Sequence, residues 1–521
     1  MISLLALASG LLTALALPTA FGAHRFLHLG GLAWIGLMPL VWALRRQKSE
    51  HGFSIGFLWG CAYYGISLYW MFIALRVYGE VSPWVSALGL ALSVMIEATF
   101  TGLAIWLAGF LKRRGLPMAL GLPLAWVVQD YLRNFIPFGG FSWSALAYTQ
   151  HDFRTLLQVL DVTGVYGITF LVVMANVVLA ELVVLRRRVL FWPAGVFVAL
   201  FILAVGYGGW RFKNIQHVEN SSERLQVAIV QGNIPQDQKW LEEKIEEIVL
   251  RHLVLTRESL VSHPDLVLWP EAAYPAVLPP EIKRISLMEG LPVPLLMGVV
   301  TYTGLIPETW PIMTDETDFR LYNSAVLVQP GGTLTARYDK SHLVPMGEYI
   351  PLSRWLPFLR QVVPAMGEFT SGSRVELMTL ESTSPPRRFG VTICYEDLFP
   401  EIARRWTQRG ADFLVNLTND AWYEDSSAVF QHADFSRYRS IENRRALVRA
   451  TNTGVTAVFG PTGETLATAP LFEEAVLTAT VPLSGVRSFY TSFGDIFAWG
   501  CVVVVTLLLA MGLRRHSHEG T

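Results

Sequence analysis

Three short stretches share one design, an apolar run of strand type that ends at once on a reactive side chain. DLVLWPE ends on the carboxylate of Glu271, TARYDK on the ammonium of Lys340, and GVTICYE on the thiol of Cys394 with Glu396 two residues later. Strands of one sheet can deliver three such groups to one rim. A thiol is about one to two units too weak an acid to ionise at neutral pH, so it needs a base to take its proton or a cation to hold the thiolate. Glu271 can be that base. Lys340 can stabilise both the thiolate and the oxyanion of a tetrahedral intermediate, helped by the backbone N–H of Tyr395. Taken singly, each has a plainer reading: a buried cysteine packing as a small hydrophobe, an acid in the turn after a strand, a solvated lysine. Asp339, beside Lys340, reads as a turn former or helper rather than the base. Cys61 and Cys501 lie inside apolar runs, so Cys394 has no disulfide partner and is expected to be a free thiol.

The elements that must position these groups follow from the pattern. Leu225 to Gln231 and Leu266 to Trp269 read as strands, and a helix between Pro235 and Ser262 places Leu241, Ile245, Ile248, Val249 and Leu255 on one face. Tyr322 to Val328 and Thr333 to Tyr338 flank Gln329-Pro330-Gly331-Gly332 as a hairpin, and a second hairpin surrounds Gly460 to Gly463. Beyond the cysteine strand the spacing predicts a helix over 400–409, a strand over 413–417 and a long helix over 430–449. No Gly-rich phosphate loop follows the first strand, which excludes a Rossmann domain and points to a mixed α/β sandwich.

That sandwich sits in a very apolar chain: 521 residues, 52% hydrophobic, 16% charged, mean hydropathy +0.39, the composition of a membrane protein. The net charge of -1 gives no reason to expect nucleic acid as a partner. Runs able to cross a core of about 30 Å lie near 2–20, 28–44, 54–75, 86–111, 116–132, 164–185 and 190–209, with an eighth over 493–513. The first lacks a basic leader and a small-x-small site, so it is read as retained. Arg45, Arg46 and Lys48, then Lys112 to Arg114, Arg186 to Arg188, and Arg514 and Arg515 mark the cytoplasmic ends. Both termini are then cytoplasmic and the region between spans seven and eight is exported. The expected division is 1–212 for seven spans, 213–487 for the exported catalytic domain, and 488–521 for the last span and tail. Glu97 reads as a protonated acid hydrogen-bonded between helices or as a functional acid, and Asp130 with Arg133 as a local pair. Arg133 to Tyr148, broken by Pro137, Gly139 and Gly140, reads as an aromatic shelf at the outer interface.

The motifs LWPE, YDKSHLVPMGE and CYE together resemble the nitrilase, or carbon–nitrogen hydrolase, superfamily. With the spans, the Pro235 to Trp240 run, NLTNDAWY from Asn416 and RATNTG from Arg449, the closer resemblance is to its apolipoprotein N-acyltransferase family. The resemblance implies a polytopic α-helical membrane protein of about eight transmembrane helices carrying an exported nitrilase-like αββα sandwich. It implies Glu271 as general base, Lys340 as transition-state cation and Cys394 as nucleophile, with supporting roles at Trp240, Glu348, Tyr395 and Glu396. Physically, Glu348 can orient Lys340 or Glu271, or be a solvated loop acid. Trp240 can wall an acyl chain, or simply pack.

From Gly347 to Pro364 the chain carries Tyr349, Ile350, Leu352, Trp355, Leu356, Phe358 and Leu359, a density that suggests a lid dipping into lipid, against a lid packed only on protein. The resemblance further implies a two-step transfer through a Cys394 thioester. The donor would be a glycerophospholipid, phosphatidylethanolamine preferred, and the acceptor the α-amine of the S-diacylglyceryl cysteine that begins an apolipoprotein. The setting is the bacterial inner membrane, with a monomer expected. No cofactor is implied, and His252, His342 and His432 lack zinc-site spacing. Two rivals are a membrane-anchored amidohydrolase using the same three residues and a transporter with an outer binding domain. The second is disfavoured by the few polar residues in the spans and the lack of repeats.

Overall fold

The computed structural model describes residues 1–20, 26–46, 51–79, 81–184, 191–304, 318–353, 355–358, 368–373 and 376–518. Leu359, part of the expected lid, lies outside the described residues, as do Lys48 and Arg186 to Arg188.

Two sheets form the sandwich. One has the order Ala475–Pro482, Arg224–Gln231, Leu266–Leu268, Leu295–Thr303, Arg320–Val328 and Leu334–Asp339, with Tyr274–Leu278 paired to Leu295–Thr303. The other runs Thr465–Thr468, Ala457–Phe459, Leu447–Thr451, Phe413–Thr418, Arg387–Ile393 and Met378–Leu380. Strand alternation sorts the core. Leu225, Val227 and Ile229 share one apolar cluster with Val391, Ile393 and Val415 of the second sheet. Ala228 and Val230 face the other way, where Val249, Leu253 and Leu255 of helix Ile245–Ser259 cover them. Helices Pro400–Gln408 and Ser427–Asn443 pack on the second sheet. Both expected hairpins form. The long helix ends at Asn443, short of the predicted 449, because Arg444 turns left-handed at φ 52° and Leu447–Thr451 becomes a central strand.

The remaining chain is helical and apolar. Among the described residues three helices are long and apolar enough to cross a membrane, Pro83–Arg113, Val165–Val183 and Phe191–Ser221, or four if the bent pair Gly52–Ser67 and Trp70–Tyr78, turned by 56°, is one span. Ile2–Ala14 and Ile496–Met511 are shorter apolar helices. The expected span at 28–44 is broken into Gly30–Leu32, Ala33–Gly36 and Met38–Arg46. Asn176, on the buried helix Val165–Leu179, holds that break by donating to the Ala33 carbonyl at 2.7 Å and accepting from the Leu37 amide at 2.8 Å. Met118–Leu132, at 15 residues, is about 22 Å long. Phe191–Ser221 presents Ile202, Leu203 and Trp210 outward and ends three residues before the first sandwich strand.

Two expectations about polar and aromatic residues in this half change. Glu97 is not simply an acid shared between helices: it ion-pairs with Arg133, which also reaches Asp130 at 3.4 Å, all three buried. Arg133 to Tyr148 is only partly a surface shelf. Phe135, Ile136 and Phe138 are exposed, but Trp143 and Tyr148 are buried against the sandwich, where Trp143 Nε1 donates to Gln431 at 2.7 Å and Tyr148 meets Phe435 and Tyr438. Their rings find aromatic partners on helix Ser427–Asn443, which a sequence window cannot show. The two halves are also locked by Arg444, whose guanidinium donates to Asp161 at 2.9 Å and to Gln158 Oε1 at 2.6 Å, while Arg211 from the 31-residue helix reaches the same Asp161 at 2.7 Å.

Removing one member of a buried ion cluster leaves its partners' charge uncompensated. Arg133→Leu is therefore expected to cost about 3–5 kcal/mol, seen as a large fall in the thermal midpoint of the detergent-purified protein. Glu97→Gln, which leaves Asp130 to pair with Arg133, costs less. Equal midpoints for the two variants would contradict the pairing.

Candidate active site

Glu271 leaves its strand at a turn in which Ala272 has φ 46°. That turn lies on the neighbouring strand because residue 298 is glycine: Gly298 donates to the Pro270 carbonyl at 3.1 Å, and a Cβ there would fall 2.4 Å from that oxygen. Lys340 follows Leu334–Asp339, with its amide bonded to the Asn323 carbonyl at 2.8 Å. Alternation sends Asp339 the other way, where it accepts from Ser324 and Arg337, both at 2.6 Å. Cys394 stands at the end of Arg387–Ile393 with φ 51°, a conformation non-glycine residues seldom adopt and one that lifts a side chain out of the sheet.

The three predicted residues come together, and Glu348 joins them. Lys340 Nζ lies 2.9 Å from Glu348 Oε1 and 3.6 Å from Glu271 Oε1. Glu348 is not a solvated loop acid: its second oxygen accepts from the Val344 amide at 2.8 Å. Asn323, unremarked in the sequence, bridges the acids by donating to Glu271 Oε1 at 2.7 Å and Glu348 Oε1 at 2.8 Å. Burial alone would push the Lys340 pKa down, but the two carboxylates outweigh it and hold the ammonium well above the ordinary lysine value. Burial pushes the Cys394 thiol up. Glu271 adds to that, and Lys340 and the Thr418 hydroxyl oppose it. These effects together favour the protonated thiol at rest.

Glu396 straps the cysteine turn to the lysine loop. One carboxylate oxygen accepts from the Tyr338 hydroxyl, the Ser341 amide and the Ser341 hydroxyl, all at 2.7 Å, and from the His342 amide at 3.1 Å; the other accepts from the Ile393 amide at 2.8 Å. Tyr395 points at the helical half, donating to the Gly140 carbonyl at 2.9 Å, with its ring near Phe141 and Phe399. Trp240 is 41% exposed rather than packed, while its neighbour Lys239 is buried and donates to the Glu271 carbonyl at 2.8 Å. Burial lowers the Lys239 pKa to about 8, against the pull of Glu271 and Cys394. Lys239 went unread because a lysine in a polar run looks solvated.

Of the expected lid, Tyr349 donates to the Phe138 carbonyl at 3.0 Å and Ile350 is buried, whereas Leu352, Leu356 and Phe358 are exposed and Trp355 is 83% exposed. Burial pushes the pKa of His342, beside the lysine loop, down to about 4, with Lys340 adding to the effect, so this ring is neutral near pH 7. Among the described residues the one cluster of metal-ligating types is His28, His151 and Asp152, which includes none of these groups.

Two family descriptions match the chain: "Apolipoprotein N-acyltransferase N-terminal domain" over residues 9–178 and "Carbon-nitrogen hydrolase" over 226–491. A protein named apolipoprotein N-acyltransferase from Geobacter metallireducens is 36% identical over 518 residues, covering 99% of this chain and 96% of that protein. The chain belongs to the apolipoprotein N-acyltransferase family. A Methylococcus capsulatus member of that family is 34% identical, covering 99% of this chain and 98% of the relative. Among solved structures, an amidase from Nesterenkonia sp. aligns with 52% of this chain and 92% of its own at 18% identity, with a TM-score of 0.35.

The electrostatics of the site predict opposite effects on the thiol. At fixed pH near 8.5, iodoacetamide should label Cys394 several-fold faster in Glu271→Gln, which removes a charge opposing ionisation, and several-fold more slowly in Lys340→Met, which removes one favouring it. Labelling is read by the mass of the Cys394 peptide. Changes of the same sign in both variants would contradict this account.

Proposed function

We propose that the protein transfers a fatty acyl chain from a glycerophospholipid to the α-amino group of the S-diacylglyceryl cysteine at the N-terminus of apolipoproteins, through a thioester on Cys394. The observation that carries this reading is the full-length kinship with apolipoprotein N-acyltransferases, which takes in the helical half as well as the sandwich. An amidohydrolase acting on a small amide, or a transporter, gives no account of that kinship.

The chemistry follows from the cluster. As a donor ester enters, Glu271 takes the Cys394 proton while Sγ attacks the ester carbonyl, and the new oxyanion is held by Lys340 and the Tyr395 amide. Charge then moves within the group rather than into it, since one carboxylate is neutralised as the thiolate forms beside the same ammonium. Collapse breaks the carbon–oxygen bond, Glu271 returns the proton to the leaving glycerol oxygen, and lysophospholipid departs. The acceptor amine attacks the thioester, Glu271 takes its proton, the carbon–sulfur bond breaks, and Glu271 gives that proton to the departing thiolate. Glu348 holds Lys340, Glu396 and Tyr395 hold the turn and its neighbour, and Trp240 with Tyr349, Trp355 and Phe358 offers apolar surface to acyl chains. Exclusion of water from the thioester makes transfer win over hydrolysis.

Phosphatidylethanolamine is the preferred donor in this reading and the enzyme acts as a monomer. The chain sits in the bacterial inner membrane with about eight crossings, divided as 1–212, 213–487 and 488–521. The catalytic domain is periplasmic and both termini are cytoplasmic. Support comes from the basic residues flanking the apolar runs and from the exposed apolar side chains of Leu352, Trp355, Leu356 and Phe358.

Incubating purified enzyme with phospholipid and no acceptor should add an acyl mass to the Cys394 peptide that hydroxylamine removes. Cys394→Ala should fold normally and transfer at less than about one-thousandth of the parent rate. Transfer surviving in that variant would overturn the assignment. Lys340→Arg should lose at least about a hundredfold in kcat, because a planar fork cannot replace a point charge in this pocket.

A further inference from the structure

Beneath the Cys394 turn lies a second cluster of charges, fully buried and untouched by the mechanism above. His432 Nδ1 is 2.7 Å from Asp420 Oδ1, and its Nε2 is 3.2 Å from Asp397 Oδ1 and 3.3 Å from the Cys394 carbonyl. Arg449 closes the ring, with Nη1 3.1 Å from Asp397 and Nη2 2.9 Å from Asp420. Asn416 accepts from Arg449 at 2.9 Å and donates to the same Cys394 carbonyl at 3.2 Å. Asp397, Asp420, His432 and Arg449 are each fully buried.

The proton count follows from the partners. Both ring nitrogens of His432 face oxygens that only accept, two carboxylates and a main-chain carbonyl, so both must carry hydrogen. The ring is an imidazolium, and the cluster holds two cations and two carboxylates. The other groups about it are the rings of Trp143, Tyr423 and Phe435, at 5.6, 5.9 and 6.1 Å between centroids. Burial and Arg449 lower its pKa, and Asp397 and Asp420 more than restore it, to about 9.

We propose that His432, doubly protonated, is a positioning residue for acyl transfer: it clamps the Cys394 carbonyl, keeps that residue in its left-handed turn, and keeps the charge beneath the thiol balanced. This rests on Cys394 being the acylated residue. A left-handed non-glycine residue is intrinsically disfavoured, and its carbonyl is the atom through which a neighbour can hold the turn. Loss of the His432 charge leaves a net negative cluster directly under a group that must become a thiolate.

The test uses the full chain in detergent, with phospholipid donor and a diacylglyceryl peptide acceptor. His432→Gln should lower kcat at least tenfold with the phospholipid KM within twofold, and slow iodoacetamide labelling of Cys394 at pH 8 in parallel. Asp420→Asn keeps an acceptor at Nδ1 but removes the charge that holds the second proton. Its alkaline loss of activity should therefore begin at lower pH than in the parent. The proposal is overturned if His432→Gln labels and transfers within twofold of the parent. It is overturned equally if the alkaline limb of Asp420→Asn is unmoved, a measurement that decides the matter even if His432→Gln does not fold. Cys394→Ala run alongside separates the two readings: transfer in that control removes the thioester reading, whereas normal labelling and transfer in His432→Gln remove the clamp.

Discussion

A single ammonium shared between two carboxylates, away from water, sets the terms for the rest of the sandwich. Desolvation of Lys340 is tolerable only while Glu348 and Glu271 stand within a few ångströms of it, and those acids are tolerable only while the lysine stands there too. The three residues come from different elements, so the cluster fixes the register between two strand ends and a loop. Asn323 completes it by using both hydrogens of one amide nitrogen, one for each acid. Gly298 is needed because the Glu271 turn must lie on its backbone. Glu396 then ties the cysteine turn of the second sheet to the loop after the lysine, with five donors on one carboxylate. A sandwich whose sheets slid against each other would lose these bonds together, so geometry at the rim and packing of the two sheets are one constraint.

The strand ends were legible because three apolar runs each stop on a reactive residue, and the three residue types make one chemistry only when taken together. The hairpins were legible through Gly331, Gly332 and Gly463, and the helix Ile245–Ser259 through its one apolar face. What escaped shares a cause: its meaning depends on a partner far along the chain. Asn323 is a polar residue in a strand, indistinguishable in sequence from one facing water. The ion-pair partner of Glu97 was hidden because Arg133 lies 36 residues on, just past the end of another helix. The break in 28–44 is held by Asn176, more than 130 residues away. The helix predicted to reach residue 449 stops at Asn443, where Arg444 turns left-handed and its side chain meets Asp161 and Gln158, partners that no local window contains. Arg449 was visible only as the start of the RATNTG motif and His432 only as a histidine without zinc-site spacing; their pairing appears once the sheet and helix carrying them are stacked beneath the cysteine.

Three of the contacts between the halves involve groups beside the reactive rim. Tyr395, next to Cys394, bonds to Gly140, Tyr349 on the apolar loop bonds to Phe138, and Trp143 packs against His432. All three partners belong to the short segment between helix Met118–Leu132 and the turn at Leu146–Gln150. A nitrilase-type thiol with a water-filled mouth hydrolyses its acyl group; the same thiol under an apolar cover gives an amine time to arrive. On the proposed chemistry the segment from Arg133 to Tyr148 does more than anchor. It supplies one wall of the site from the membrane side, beside exposed Phe135, Ile136 and Phe138, which present apolar surface where a lipid chain would approach. The broken, glycine-containing character that disqualified this segment as a span is what lets its main-chain carbonyls turn toward Tyr395 and Tyr349. Acyl transfer in place of hydrolysis would then come less from any change at Glu271, Lys340 or Cys394 than from the membrane half closing over them.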